Sequence, residues 1–201
     1  SHIETIVEKN GIKYQIDMHL KKNSPKGIAI NKIPIRKASE LFGIINIVFF
    51  SPEDLNIIKN GPGERRRFID LELSQLDKVY LNNLSNYNRI VNQRNHLLKE
   101  IDYNKGALET LDIWDMQLIQ YGNKIVERRQ KFIEEINKII SNIHKKLTGN
   151  REDIKIVYEP SNGALSFEQA LLKNKEKDLR IKSTSVGPHR DDIAFLVSDI
   201  D

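Results

Sequence analysis

Cysteine is absent from the 201-residue sequence, which excludes disulfide bonds, a thiolate nucleophile and a cysteine-ligated zinc site. No apolar run approaches the roughly 18 residues that a membrane-spanning helix needs. The ten glycines lie too far apart for either phosphate-binding pattern, G-x-x-x-x-G-K-[ST] or G-x-G-x-x-G. The five histidines show no H-E-x-x-H spacing. We therefore expect a cytoplasmic protein that lacks the familiar sequence signs of catalysis.

The chain has a small excess of positive charge, and this excess is confined to one part of the sequence. The chain carries 32 Lys and Arg residues against 28 Asp and Glu residues, a net charge of +4. The excess falls within residues 1–50, where Lys21 and Lys22 stand side by side. Lysines on edge strands discourage aggregation, whereas a cationic surface can face phosphates. The sequence leaves both interpretations open.

The first 50 residues have the pattern of β-structure. Apolar and polar residues alternate over Ile12–Leu20, and Asn10-Gly11 before them predicts a hairpin with Ile3–Val7. A second short pair is expected around the turn Asn31-Lys32. The nearly unbroken apolar run Ile44–Phe50 predicts a strand that is covered on both faces.

The pattern becomes helical at Ser51, where a capping serine is followed by Pro52. A helix starting near Gly63 is expected to place Phe68, Leu71 and Leu76 on one side. Apolar residues then recur at spacings of three and four over 80–101 and again over 108–147. This spacing predicts a long antiparallel helical hairpin of coiled-coil type.

β-Structure returns after the hairpin. Ile154–Tyr158 alternate, Ser166 and Gln169 form a capping-box pattern for one helix over Phe167–Leu179, and Ile193–Val197 predict a last strand. The predicted fold class is α+β, with a sheet domain interrupted by a helical lobe. The predicted division places β-structure in residues 1–50, the helical lobe in 51–150 and a return to the sheet domain in 151–201.

Three consecutive arginines, Arg65, Arg66 and Arg67, lie near the start of a helix, where the helix dipole disfavours cations. Successive helical residues point about 100° apart, so the three cannot serve one surface. One or two could bind a phosphate or carboxylate through both guanidinium arms, while the others pair internally. A solvated run with ordinary helical ion pairs is the alternative.

Ionisable residues cluster a second time at Thr184–Asp192, where a Gly-Pro turn precedes His189, Arg190, Asp191 and Asp192. One histidine and two aspartates could hold a divalent metal, but this spacing alone favours it weakly. A buried network within the turn, or a position beside a nucleotide, is the preferred interpretation.

Arg94 occupies an apolar position of the first long helix. Such an arginine usually packs the aliphatic part of its side chain against the neighbouring helix and places its guanidinium group in an ion pair. Alternatively, it faces a partner or a DNA phosphate.

Several strings of the sequence resemble the RecF family of bacterial recombination mediators. They occur in the family's order and cover about residues 47–197. The strings are Phe50–Leu55, Gly61-Pro62, Glu64–Asp70, Tyr87–Arg89, Gln93–Asn95, Trp114-Asp115 and Val186–Asp192.

The resemblance implies an ABC-type ATPase head, related to SMC and Rad50 heads, with a helical second lobe. It implies binding of ATP and Mg²⁺, ATP-dependent homodimerisation, and binding of single-stranded or gapped DNA. It also implies action with RecO and RecR to load RecA in recombinational repair and the SOS response. The resemblance also implies that two groups of residues lie either near the nucleotide or at the dimer interface. They are Ser51, Glu53 and Asp54 in one group, and Gly187 with His189–Asp192 in the other.

The chain departs from the family because the phosphate loop, signature and Walker B segments are absent. We therefore expect no cofactor, no metal and no ATP hydrolysis for this chain alone. The DNA or phosphate contacts expected are Lys21, Lys22, Arg65–Arg67 and Arg94. The alternative function is a helical module that docks RecR or a second protomer without touching DNA. A metal nuclease through His189, Asp191 and Asp192 ranks last.

Overall fold

The computed structural model describes residues 1–103 and 106–198 and divides into two compact units. The first contains Ser1–Phe50 with Ser74–Lys78, and the second contains Ser51–Leu73 and the chain from Val79 onward. The strands are β1 (His2–Lys9), β2 (Ile12–His19), β3 (Gly27–Ile30), β4 (Ile33–Ile35), β5 (Ile154–Glu159) and β6 (Asp192–Val197). The α-helices are α1 (Asn56–Lys59), α2 (Pro62–Leu76), α3 (Lys78–Glu100), α4 (Ala107–Leu147), α5 (Phe167–Lys173) and α6 (Lys175–Ile181). Short 3-10 helices cover Ala38–Leu41 and Pro52–Leu55.

The first unit holds an antiparallel sheet in the order β1-β2-β3-β4. Both hairpins lie where the turn residues predicted them. Asn10 and Gly11 have positive φ values of 52° and 77°, as do Asn31 and Lys32 at 50° and 66°. Such paired positive φ values match the right-handed twist of the flanking strands.

The predicted strand over Ile44–Phe50 is wrong. Residues 45–50 form no strand, and Val48 and Phe49 are 91% and 79% exposed. A strand needs a neighbouring strand to satisfy its peptide groups. The sheets of the described residues contain only β1–β4 and β5–β6, and the Ile47 N–H donates instead to the Gln75 side chain over 2.9 Å.

The buried face of helix α2 is not the side that carries Phe68, Leu71 and Leu76. Ile69 and Leu73, four residues apart, are 2% and 0% exposed, whereas Phe68, Leu71 and Leu76 are 40%, 51% and 58% exposed. Two apolar rows run along this helix, and the sequence alone does not show which one faces the core.

Helices α3 and α4 form the predicted antiparallel hairpin. Arg94 of α3 contacts Asp115 of α4, and Tyr80 contacts Arg129. From the first contact to the second, the residue number falls by 14 along α3 and rises by 14 along α4. The two helices therefore run antiparallel, and the two contacts are two heptads apart on each helix. The row of residues at which the two helices face each other, which we call the seam, includes Arg129.

The residues after the hairpin lie in the same compact unit. β5 and β6 pair antiparallel, and one apolar core joins them to α2, α3, α4 and α5. The single helix predicted over Phe167–Leu179 is wrong, because it breaks at Asn174, whose side chain donates to the Ala170 carbonyl over 2.8 Å. The Ser166–Gln169 capping box is confirmed. The assignment of residues 1–50 and 151–201 to an ATPase head stays a prediction.

No helix among the described residues is long and apolar enough to cross a membrane.

Candidate functional site

The segment Thr184–Asp192 connects α6 to β6, and side chains from elsewhere in the second unit hold its backbone. The Thr184 N–H donates to the Asn95 side chain over 2.7 Å, and the Ser185 N–H donates to Asp178 over 3.0 Å. The Gly187 N–H donates to the Ser161 hydroxyl over 2.9 Å. Because its peptide groups are bonded to side chains, this irregular segment can lie buried. We call Thr184–Asp192 the connector.

Arg94 fixes the start of the connector from α3. Its Nη1 donates to Asp178 over 2.7 Å and to the Thr184 hydroxyl over 2.9 Å, while Nε donates to Asp115 over 2.6 Å. Arg94 and Asp178 are each 0% exposed. Burial raises the pKa of Asp115, and the hydrogen bond from Arg94 opposes that rise. The structure thus shows a paired, buried arginine, so we do not propose Arg94 as a DNA contact.

Gly187 lies where only glycine fits. Its φ is +118°, and a Cβ there would lie 2.5 Å from the Tyr87 hydroxyl and 2.7 Å from the Phe167 ring. A non-glycine residue would therefore meet both backbone strain and a steric clash. On α4, Gly122 allows the same Phe167 ring to approach, since a Cβ there would lie 2.5 Å from it.

Arg129 of α4 holds the middle of the connector. Its Nη1 donates to the Pro188 carbonyl over 2.8 Å, and its Nη2 donates to Asp70 of α2 over 2.7 Å. The Tyr80 hydroxyl also donates to Asp70. Arg129 is 1% exposed, so its charge is compensated within the protein by Asp70.

His189 is neutral and has a defined tautomer. Its Nε2 lies 3.1 Å from the Thr184 carbonyl oxygen, which can only accept, so Nε2 carries the proton. Nδ1 therefore accepts from the Tyr87 hydroxyl over 2.7 Å. Burial lowers the pKa of His189 to about 4, and the nearby positive charge of Arg190 adds to the effect. The ring is a structural link between α3 and the connector at neutral pH.

The two sequence clusters meet at the end of the connector, although 125 and 127 residues separate the bonded partners. Arg65 binds Asp192 through two hydrogen bonds of 2.7 and 2.8 Å, and the bond from Arg65 lowers the pKa of Asp192. Arg66 donates to the Asp191 carbonyl over 2.7 Å. The Asp191 carboxylate points inward and accepts from the Ser161 N–H over 2.8 Å.

His189, Asp191 and Asp192 thus face different partners. Tyr158 donates to Asp191, Arg65 donates to Asp192, and Tyr87 donates to His189. Within residues 1–103 and 106–198, no group of three or more His, Asp or Glu side chains is arranged to hold a metal ion. The buried network within the turn is the interpretation that the geometry favours.

Of the remaining predicted residues, Glu53 and Arg67 are exposed, and Ser51 and Asp54 are half-buried. The Ser51 N–H donates to the Asp54 carboxylate over 2.6 Å, and a hydrogen bond with Ser51 lowers the pKa of the exposed Glu53. Glu53, Asp54 and Arg67 line one surface depression of the second unit, whose floor includes Phe68. In the first unit, Lys21 and Lys22 are exposed between β2 and β3.

Sequence reasoning missed several residues that hold the connector. Polar residues on the seam, such as Arg129, could have been found because a charged residue in an apolar row needs a buried partner. Asp70, Asn95, Tyr158 and Asp178 carry no comparable signal in the sequence, because the residues that they bond to are distant along the chain. The missed residues are Asp70, Asn95, Arg129, Tyr158 and Asp178.

Several known proteins that are similar to this chain carry the same name. The DNA replication and repair protein RecF of Agathobacter rectalis is 60% identical over 201 residues, and that of Lachnospira eligens is 61% identical over 203 residues. Each match covers 100% of this chain and 56% of the relative. The RecF protein of Clostridium perfringens is 44% identical over 97% of this chain. No family model matches the chain.

Two solved structures are similar along the whole chain. A RecF–ATP structure of the RecFOR pathway matches with a TM-score of 0.90 and 30% identity, and a RecF-ATPrS structure of that pathway matches with a TM-score of 0.89 and 32% identity. Each match covers 100% of this chain and 56% of the solved chain.

The mixed α/β fold, with its small antiparallel sheets and long helical hairpin, places the chain among segments of recombination mediator proteins. Within that class the chain belongs to the RecF family. It spans about half the length, 56%, of the curated relatives that it matches.

Proposed function

We propose that the chain is part of a protein that binds ATP with Mg²⁺ and single-stranded or gapped DNA, and that acts with RecO and RecR to load RecA. The observation that supports this most is the similarity to RecF–ATP structures over the whole chain, at a TM-score of 0.90. ATP-dependent homodimerisation of the whole protein belongs to the same proposal.

Within this chain, the DNA contacts would come from exposed cations. Arg65 and Arg94 are committed to carboxylates, so their charges are already compensated. Arg67, Lys21 and Lys22 are exposed and can meet phosphates. Each phosphate neutralised by such a side chain releases counterions from the DNA, and binding then weakens steeply with salt.

Fluorescence anisotropy with labelled oligonucleotides tests the DNA contact. The chain is titrated against single-stranded, gapped and fully duplex DNA over a range of NaCl concentrations. In Arg67→Ala and in the double variant Lys21→Ala/Lys22→Ala, we expect the slope of log K against log salt to fall by about 0.7 to 0.9 for each phosphate that the variant no longer neutralises. Arg151→Ala, which removes an exposed charge on the turn after α4, is the matched control and should leave the slope unchanged.

A helical module that docks a partner protein without touching DNA is the second candidate. The observation that favours it is a set of exposed apolar side chains on the second unit, with Leu55, Ile58 and Leu71 at 50%, 60% and 51% exposure. Such side chains mark protein contacts when they are contiguous. Absence of DNA binding at low salt, together with binding of purified RecR, would favour this candidate over the first.

ATP hydrolysis is not expected from this chain alone, because no glycine-rich phosphate loop occurs in its sequence. Phosphate release is measured with the purified chain, with and without single-stranded DNA. Turnover that follows the protein through successive columns would contradict this expectation.

A further inference from the structure

The charges around the end of the connector do not balance. Arg65 is paired with Asp192, and Arg129 is paired with Asp70. Arg66 and Arg190 are close to the same residues, yet within the described part of the chain neither has an ion pair with a carboxylate. Because His189 is neutral above its pKa of about 4, it adds no charge. Four arginines therefore meet three carboxylates, the third being Asp191.

Arg66 and Arg190 are neighbours in space although they lie on different elements. Arg66 donates from Nη1 to the carbonyl of Asp191, the residue that directly follows Arg190. Arg190 turns back along the connector, with Nε 3.3 Å from the Thr184 carbonyl oxygen and Nη2 3.4 Å from the Ser183 hydroxyl. The charges of both arginines act on the His189 ring, and that of Arg190 also acts on Arg66.

Both guanidinium groups keep donors for a ligand. A guanidinium has five N–H donors, and Arg66 uses one of them in a hydrogen bond, whereas Arg190 uses two. Arg190 is exposed, and Arg66 is half-buried.

Two guanidinium groups that bond backbone carbonyls of the same connector, keep unused donors and have no ion-paired carboxylate suit a phosphate group. The planar fork of arginine matches two phosphate oxygens, and two forks can share one phosphate. The Arg66 side chain donates to the backbone carbonyl of Asp191, and the Arg190 side chain donates to that of Thr184. These hydrogen bonds hold both side chains in place, which reduces the entropy cost of binding a ligand.

We propose that Arg66 and Arg190 together form a binding site for a phosphate group carried by a nucleotide or by the DNA backbone. The proposal rests on the proposed function only for the source of that phosphate. In this proposal the two neighbouring arginines have different roles: Arg66 binds the ligand, whereas Arg65 is hydrogen-bonded to Asp192.

The test uses the full 201-residue chain and three probes: pyrophosphate, ATP and a single-stranded oligonucleotide. In ¹⁵N NMR spectra, pyrophosphate should shift the Nε–Hε signals of Arg66 and Arg190 and leave that of Arg151 in place. Arg66→Gln and Arg190→Gln should each weaken binding of the recognised probe about tenfold. The double variant should be little weaker than either single variant, because both arginines hold one phosphate.

Two further variants make the result specific. Arg151 lies beyond the end of α4, and that end is 18 residues or about 27 Å along the helix from Arg129, so Arg151→Gln should not change binding. Arg190→Lys keeps the charge but loses the fork, and its affinity should fall between wild type and Arg190→Gln. Melting temperatures of all variants show whether the fold is retained.

The outcomes separate the two proposals. Binding of pyrophosphate that depends on both arginines, without binding of DNA, supports this site and contradicts the DNA contact proposed for this chain. ATP binding or oligonucleotide binding that depends on both arginines identifies the source of the phosphate. The proposal is overturned if no probe binds, if Arg66→Gln and Arg190→Gln bind like wild type, or if Arg151→Gln is equally weak.

Discussion

Arg94 and Asp178 form an ion pair in which neither side chain reaches solvent, with 2.7 Å between Nη1 and Oδ2. Arg94 lies on α3 and Asp178 on α6, and the Asp178 carboxylate also accepts from the Ser185 N–H. The pair therefore links the helical hairpin to the first residues of the connector.

Removing one member of this pair should be costly. Arg94→Ala leaves the Asp178 carboxylate buried without its cation, and breaking such a pair costs about 3 to 5 kcal/mol. Arg65→Ala is the control, because its partner Asp192 is 24% exposed and water can replace the hydrogen bonds that Arg65 makes. We expect a loss of about 1 to 2 kcal/mol there. Urea unfolding of both variants measures the difference, and equal losses would contradict this account of burial.

Gly187→Ala should destabilise the protein more than a glycine substitution at an open turn does. Both Gly187 and Gly149 have positive φ, but a Cβ at Gly149 meets no described atom within 4 Å. Gly149→Ala should cost about 1 kcal/mol from backbone strain alone. Gly187→Ala adds a clash with Tyr87 and Phe167, and its total cost should exceed about 3 kcal/mol. Thermal unfolding of the two variants separates strain from clash.

Stability should fall on acidification because of His189. The unfolded histidine binds a proton near pH 6.5, whereas the folded one does so only near its pKa of about 4. Between these values the unfolded state holds more protons, so the free energy of unfolding decreases as pH falls through this window. Wild type should lose about 2 kcal/mol more than His189→Gln between pH 7 and pH 5. Parallel stability curves for the two proteins would show that the ring is not held neutral.

The exposed apolar segment Ile47–Phe50 should promote self-association. Val48 and Phe49 are 91% and 79% exposed, so replacing both with serine removes little buried surface. We expect the double variant Val48→Ser/Phe49→Ser to show less aggregate by size-exclusion chromatography with its melting temperature within about 2 °C of wild type. A large drop in melting temperature would mean that this segment is buried after all.

The elements that the sequence predicted well are those governed by local rules. Asn10-Gly11 determines the first hairpin, and sustained three- and four-residue spacing determines α3 and α4. The run Ile44–Phe50 was predicted wrongly, because an apolar run indicates burial but does not show whether a neighbouring strand is present to pair with it. For α2, the sequence did not show which of two apolar rows faces the core.

The site was predictable in its members but not in its connections. The clusters Arg65–Arg67 and Thr184–Asp192 were both recognised, yet nothing in the sequence shows that Arg65 binds Asp192. That pairing depends on how α2 and β6 lie in the folded unit. The role of Arg94 was also open in the sequence, because burial decides between a paired head and a contact with phosphate.

The central claim is that the backbone of the connector is held in place by side chains of α3, α4 and α6. Hydrogen exchange measures this most directly, since the amides of Thr184 and Ser185 donate to the half-buried Asn95 and the buried Asp178 side chains. We predict protection of peptides covering this segment close to that of α3, and release of that protection in Arg94→Ala. Exchange within seconds in the wild-type chain, as expected for an exposed loop, would contradict the account.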